Sequence, residues 1–204
     1  TENTIPALLA ALRVPACDGL EFDVRASADG VPVLCHDVTL TRVHGRSDHV
    51  DSLTADALAE LGLPSLESVL AAVGRRPFLD VELKVDTGRA GVEILAAGRG
   101  PGLERAVVSS FHPEALETVA RLAPGWRRWL NSHLLDAQVV AEACSLGCQG
   151  VSVEWQAVDP ASVVLARAAG LEVSAFTVRR RPTFERLARL GLVAICVEAA
   201  ALDG

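Results

Sequence analysis

Extended and helical segments alternate along the whole chain, and this alternation limits the folds open to it. Seven apolar runs of strand length are bounded by turn residues, at residues 19–25, 78–84, 106–111, 126–131, 150–155, 172–178 and 193–198. Helical patterns precede and separate these runs, at residues 4–12, 66–73, 89–98, 113–122, 136–146, 159–169 and 182–190. A strand followed by a helix, repeated in this way, is typical of a parallel α/β sheet.

The number of strands favours a barrel that lacks one strand. A TIM (β/α)8 barrel needs eight strands, and this chain opens with a helix and contains no methionine. We therefore predict one α/β domain over residues 1–204 with the TIM-barrel fold, whose first strand lies upstream of Thr1. The alternative is an open doubly wound sheet, but no glycine-rich dinucleotide fingerprint supports it.

Charge and composition restrict the possible partners. The formal net charge of −7 argues against nucleic acid and acidic membrane surfaces as partners. No apolar run approaches the roughly 20 residues that span a bilayer. Five scattered cysteines are an odd number, which is typical of reduced thiols and favours the cytoplasm, unless an upstream signal peptide directs the protein elsewhere. We expect small molecules and cations as partners, and the oligomeric state stays open.

One segment interrupts the alternation with a predicted hairpin. The first strand is followed by Asp29-Gly30 and then by a second extended run at residues 31–35, with no room for a helix. An Asp-Gly pair between two extended runs favours a tight antiparallel turn. If the turn has two residues, Asp23 lies opposite His36. A histidine that faces a carboxylate is a candidate general acid or base.

Two strands carry pairs of charged residues on one side. Glu21 and Asp23 share a face of the first strand, and Glu82 and Lys84 share a face of the next. Crowded carboxylates near strand ends favour a hard divalent cation. Lys84 is the only lysine beside eighteen arginines, and its compact ammonium group suits a phosphate oxygen. A solvated acidic face and a simple ion pair remain the alternatives at this point.

Motifs in a characteristic order give the chain a family resemblance. It resembles the glycerophosphodiester phosphodiesterase family. The segments that carry this resemblance are Thr1-Glu-Asn-Thr4, Gly19-Leu-Glu21-Phe-Asp23-Val, Asp29-Gly30-Val-Pro-Val-Leu-Cys-His36-Asp37, Leu63-Pro-Ser-Leu-Glu67-Ser-Val-Leu, Val81-Glu82-Leu-Lys84, Ser109-Ser-Phe111 and Ala175-Phe-Thr-Val178. The match spans nearly the whole chain and is strongest over residues 1–84.

The resemblance implies hydrolysis of a glycerophosphodiester to sn-glycerol 3-phosphate and an alcohol. It implies that a divalent cation, Ca²⁺ or Mg²⁺, is held by three carboxylates, and that His36 is one of two catalytic histidines. The cation ligands it implies are Glu21, Asp23 and Glu82. Lys84 would contact the phosphate, and Phe176, in place of a usual tryptophan, would contact the substrate. The second histidine belongs to a His-Arg-Gly segment, which we expect upstream of Thr1.

Three other functions fit parts of this pattern. A phospholipase C or sphingomyelinase D on a related barrel would also hydrolyse a phosphodiester, but no apolar membrane-docking loop supports it. A catalytically inactive barrel could serve as a binding module, which loss of the His-Arg-Gly segment would favour. A barrel isomerase or aldolase would use Lys84 to form a Schiff base.

Overall fold

The computed structural model describes residues 2–15 and 17–198, which cluster into two compact units that divide after Trp126. Thr1 of the first motif, and the outer limits of the domain predicted over residues 1–204, lie outside the described residues. That single domain stays a prediction. Each unit is an α/β structure in its own right.

The first unit contains a sheet with three parallel strands and one antiparallel arm. Its strands are β1 (Gly19–Ala26), β2 (Pro32–Leu34), β3 (Phe78–Leu83) and β4 (Ala106–Ser110). β1 pairs in parallel with β3, β3 pairs in parallel with β4, and β2 lies antiparallel to β1. Its helices are α1 (Ile5–Ala11), α2 (Thr41–His44), α3 (Ala55–Glu60), α4 (Leu66–Val73), α5 (Gly88–Arg99) and α6 (Pro113–Leu122), with a 3-10 helix at Val50–Ser52.

The second unit continues the same alternation. Its strands are β5 (Arg128–Ser132), β6 (Gly150–Glu154), β7 (Glu172–Val178) and β8 (Ala194–Val197). Each of these strands pairs in parallel with the next. Its helices are α7 (Ala137–Ser145), α8 (Pro160–Ala168) and α9 (Arg181–Arg189), with a 3-10 helix at Trp155–Ala157.

Helix ends follow local sequence signals. The α4 helix begins after Ser65, whose side chain accepts a hydrogen bond from the Ser68 N–H, and it ends at Gly74, whose φ is 67°. The α8 helix begins with a capping box in which Asp159 and Ser162 exchange hydrogen bonds. The apolar residues of α4 are buried at helical spacing, namely Leu66, Val69, Leu70 and Val73.

All seven predicted strands and all seven predicted helices are present. The α2 and α3 helices were not predicted, because helices of four and six residues are shorter than the window in which apolar periodicity can be recognised.

The predicted two-residue turn of the hairpin is wrong. The connection contains three residues, 28–30, since the Ser27 N–H donates to the Val31 carbonyl at 3.0 Å. Gly30 has a φ of 77°, which is typical of the last residue in such a loop. The register therefore places Val24 opposite Leu34, one residue away from the prediction.

This one-residue shift moves His36 out of the predicted position. Cys35, not His36, lies beside Asp23, and its N–H donates to the Asp23 carbonyl at 3.1 Å. Because side chains alternate between the faces of a strand, a shift of one residue exchanges the two faces. The predicted opposition of Asp23 and His36 across the hairpin is therefore wrong.

Candidate active site

Four carboxyl groups share one face of the paired strands β1 and β3. The parallel register places Asp23 beside Glu82 and Glu21 beside Asp80, and residues two apart on a strand point to the same side. One carboxylate oxygen each of Glu21, Asp23 and Glu82 lies within 4.8 Å of the other two. The structure thus brings together the three predicted cation ligands.

Lys84 follows β3 and reaches two of these carboxylates. Its Nζ lies 3.0 Å from Asp23 Oδ1 and also pairs with Glu82 Oε1. The three side chains are only 12, 10 and 11 % exposed, respectively. Nζ also lies 5.9 Å from the centroid of the Phe111 ring, a cation–π distance. The predicted grouping of Lys84 with the carboxylates is present in the structure.

Four carboxyl groups lie near one ammonium group, and the pKa values of the carboxyl groups reflect this excess of negative charge. Burial, together with repulsion from Asp23, Asp80 and Glu82, raises the pKa of Glu21 well above its usual range. Burial raises the pKa of Asp80 to about 7, and repulsion by Glu82 and Asp23 adds to the effect. A divalent cation would offset both the lost hydration and the repulsion.

The charge state of Lys84 argues against a Schiff-base role. Burial alone would lower the pKa of Lys84, but the attraction of Asp23 and Glu82 outweighs it and raises that pKa. The side chain is therefore an ammonium group at neutral pH. Formation of a Schiff base requires the free amine as nucleophile, so the isomerase or aldolase alternative loses its candidate residue.

Asn3 holds the Asp23 carboxylate in place, a contact that the sequence analysis did not predict. Its Nδ2 donates to Asp23 Oδ2 at 2.8 Å, and its Oδ1 accepts from the Asp23 N–H at 3.1 Å. Asn3 has a φ of 53°, and asparagine is one of the few residues that adopt this left-handed conformation. The sequence motif around Asn3 contains no signal that indicates Asp23 as its partner.

His36 lies just beyond the end of β2. Its Nδ1 lies 2.7 Å from Asp37 Oδ1, and its side chain is 52 % exposed. Its backbone carbonyl accepts two hydrogen bonds from Arg25, from Nε at 3.0 Å and Nη2 at 2.9 Å. Burial raises the pKa of Glu82, and charge on His36 is among the effects that oppose this shift. His36 is therefore within electrostatic range of the cluster.

The donor set fits a hard divalent cation. Glu21, Asp23 and Glu82 offer only carboxylate oxygens, which Ca²⁺ and Mg²⁺ prefer. Asp23 Oδ1 and Oδ2 already contact Lys84 and Asn3, but a carboxylate oxygen has two lone pairs and can accept a further partner. These residues could hold such an ion.

A comparison with protein families agrees with the resemblance seen in the sequence. The model of the glycerophosphoryl diester phosphodiesterase family matches residues 1–202. The chain belongs to this family. A glycerophosphodiester phosphodiesterase of Caldanaerobacter subterraneus subsp. tengcongensis is 26 % identical over 97 % of this chain and 88 % of its own length. The predicted class of enzyme, a phosphoric diester hydrolase, is confirmed at the level of the family.

Solved structures of this family have the same fold. A phosphodiesterase of Oleispira antarctica, in complex with the product sn-glycerol-3-phosphate, superposes with a TM-score of 0.83. It is 25 % identical, over 96 % of this chain and 87 % of that one. A glycerophosphodiester phosphodiesterase of Thermotoga maritima superposes with a TM-score of 0.80 at 22 % identity, over 98 % of this chain and 90 % of that one. These similarities confirm the predicted α/β fold class of the TIM-barrel type.

Phe176 belongs to the second unit. It lies on β7, is partly buried and precedes a cis peptide bond to Thr177. Its contact with substrate stays a prediction, as does the second histidine upstream of Thr1. Among the described residues, no helix has the length and apolar character to cross a membrane.

Proposed function

We propose that this chain hydrolyses a glycerophosphodiester to sn-glycerol 3-phosphate and an alcohol, with a divalent cation held by Glu21, Asp23 and Glu82. The observation that carries the proposal is the cluster of these three carboxylates, with oxygens within 4.8 Å of one another, in a member of this family. A relative that binds sn-glycerol-3-phosphate supports the choice of substrate class.

The residues of the cluster have two proposed roles: the carboxylates hold the cation, and Lys84 contacts the substrate. When bound, Ca²⁺ or Mg²⁺ would draw negative charge from the phosphoryl oxygens. Lys84 supplies a second positive group beside the same carboxylates. Its ammonium group is the proposed contact for a phosphate oxygen, and its low exposure would strengthen such a contact.

His36 is the proposed acid or base. Its side chain is half exposed, so a substrate from solution can reach it, and its backbone carbonyl is held by Arg25. A positioned histidine contributes about 10²- to 10⁴-fold to a rate by proton transfer. A second proton transfer would need the second histidine that the family resemblance implies. The cytoplasm is the proposed compartment, on the ground that the sequence carries five scattered cysteines, an odd number.

The test measures how fast the full-length protein releases sn-glycerol 3-phosphate from glycerophosphocholine and from glycerophosphoethanolamine. We expect turnover with Mg²⁺ or Ca²⁺, and none in excess chelator. Glu82→Ala removes a proposed cation ligand and should abolish turnover at ordinary cation concentrations. His36→Ala should lower kcat by at least about 10²-fold, because it removes a proton-transfer group.

His49→Ala is the matched control, because His49 is also an exposed histidine beside an aspartate, with 57 % of its side chain accessible. It should turn over at the wild-type rate. Undiminished turnover in excess chelator would contradict the cation, and an active His36→Ala variant would contradict the role of His36. If the wild-type protein binds the substrate but never hydrolyses it, the result would favour the alternative that the chain is a binding module.

A further inference from the structure

His36 belongs to a network of charged side chains that contact one another in series. Arg42, on α2, donates from Nε to Asp37 Oδ2 at 2.6 Å, from Nη1 to Glu2 Oε2 at 3.0 Å and from Nη2 to Glu2 Oε1. The other oxygen of Asp37, Oδ1, lies 2.7 Å from His36 Nδ1. The four residues therefore connect in the order Glu2, Arg42, Asp37 and His36.

The contact between Asp37 and His36 has a defined direction. The hydrogen bond from Arg42 holds the pKa of Asp37 below its usual range, although partial burial opposes this effect. An ionised carboxylate can only accept hydrogen bonds, so the proton of a neutral His36 ring must lie on Nδ1. Nε2 then carries the free lone pair. Free histidine in water favours the opposite tautomer, so the protein selects this one.

We propose that Asp37 is a positioning residue that fixes the ring and tautomer of His36, and that Arg42 and Glu2 fix Asp37 in turn. The proposal rests on the function proposed above, because it assigns a role within the same site. Asp37 acts through His36 and need not touch the substrate. It leaves Nε2 as the nitrogen that meets the reacting group.

The contacts of Arg42 are better suited to orienting Asp37 than to stabilising the fold. Its side chain is 51 % exposed and that of Glu2 is 46 % exposed, and exposed ion pairs contribute little to the stability of the folded state. The planar guanidinium group, however, meets Glu2 with two nitrogens and Asp37 with the third, which fixes angles as well as distances.

The network also joins three segments that are separate in sequence. Glu2 precedes α1, Asp37 follows β2, and Arg42 lies on α2. The backbone of His36 is held independently by Arg25 of β1. His36 is thus held at its carbonyl and at Nδ1, and rotation of the ring would break the contact with Asp37.

The experiment combines kinetics with a direct measurement of the tautomer. In Asp37→Ala, kcat for glycerophosphocholine should fall about 10- to 100-fold, with KM nearly unchanged, because the binding groups remain. The ¹⁵N chemical shifts of His36 should change from a protonated Nδ1 to a protonated Nε2. Asp37→Asn retains an acceptor oxygen of similar position and should restore part of the loss. Arg42→Gln should cause a smaller loss of the same kind.

Asp48→Ala is the matched control, since it breaks a comparable exposed pair, Arg46 to Asp48 at 2.9 Å, that does not reach His36. It should change neither kcat nor the tautomer. An Asp37→Ala variant that keeps the Nδ1 proton, or that loses it with no change in kcat, overturns the proposal. If Asp37→Ala does not fold, Arg42→Gln decides the same question.

Failure of the proposed function has a different result. An active His36→Ala variant would contradict the role of His36 itself, whatever Asp37→Ala does. A His36→Ala variant that is inactive beside a fully active Asp37→Ala variant would overturn the positioning role alone.

Discussion

The Asp23 carboxylate is fixed from both sides, since Lys84 Nζ lies 3.0 Å from Oδ1 and Asn3 Nδ2 lies 2.8 Å from Oδ2. Asn3 also accepts the Asp23 N–H through its own Oδ1, at 3.1 Å. A carboxylate held this way loses little rotational freedom when an ion binds, so less of the binding free energy is spent on ordering it. The identity of Asn3 therefore bears on the proposed cation site although Asn3 is not a proposed ligand.

Asn3→Ala should weaken the apparent affinity for Mg²⁺ or Ca²⁺ by about 10- to 100-fold, because groups that orient ligands contribute that much in other metal sites. Titration calorimetry on the purified protein measures it. Since alanine is strained at the φ of 53° that Asn3 adopts, Asn3→Gly is the control that keeps the backbone free while removing the amide. A wild-type affinity in Asn3→Gly would show that the amide does not orient Asp23.

At the residue scale, the sequence predicted which charges share a strand face but not what holds them. Glu21, Asp23 and Glu82 could be grouped because a strand alternates with a period of two. Asp80 obeys the same period, so the same alternation also groups it with these carboxylates. The contact of Arg42 with Glu2 joins residues 40 positions apart, between a chain segment and a short helix that leave no periodic signal.

At the scale of elements, the hairpin of β1 and β2 decides where His36 lies. Asp29 Oδ1 accepts from Ser27 Oγ at 2.6 Å and from the Ala55 N–H at 2.9 Å. These contacts stabilise a three-residue loop and connect it to the first residue of α3. The sequence predicted the hairpin from Asp29-Gly30, but the contact with Ala55, 26 residues away, is not a local property. The loop length, and the register with it, could not be predicted.

Gly30→Ala should destabilise the protein by about 1 kcal/mol, because an L-residue is strained at the φ of 77° that Gly30 adopts. No atom lies within 4 Å of the added Cβ, so the loss would be due to the backbone alone. Urea unfolding measures it.

The matched control for this change is Gly102→Ala, where the added Cβ also has no atom within 4 Å and φ is not in the left-handed range. Gly102→Ala should lower the free energy of unfolding by less than about 0.5 kcal/mol. Equal losses in the two variants would mean that the φ of Gly30 is not what the loop requires.

Helix bounds were predictable where capping residues or proline mark the ends of the helix. The α6 helix starts at Pro113, a residue favoured in the first turn, and α4 lies between Ser65 and Gly74. Both helices have the predicted bounds. Among the described residues, α2, α3 and the two 3-10 helices were not predicted, and α2 carries Arg42. The helix α2 and the contacts of Arg42 were therefore missed for the same reason, which is the lack of periodicity in a four-residue helix.

At the scale of the whole molecule, the residues of the proposed cation site all belong to the first compact unit. Binding of an ion to the folded form alone stabilises that form. The three carboxylates come from β1 and β3, two adjacent strands of one sheet, so the ion would link elements that must both be folded. Cation binding should therefore be measurable as thermal stability, independently of turnover.

Mg²⁺ or Ca²⁺ at about 100 times its Kd should raise the free energy of unfolding by about 2.7 kcal/mol. For a chain of this size that corresponds to an increase in Tm of about 5–10 °C, which calorimetry with and without the ion measures. Glu82→Gln should lose most of the shift, because it removes one of three ligands, whereas Glu93→Gln, at a side chain that is 67 % exposed, should keep it. If Glu82→Gln keeps the full shift, the ion binds elsewhere on the protein. If neither ion changes the wild-type Tm, the burial and mutual repulsion that raise the pKa of Glu21 are balanced by protonation rather than by a cation.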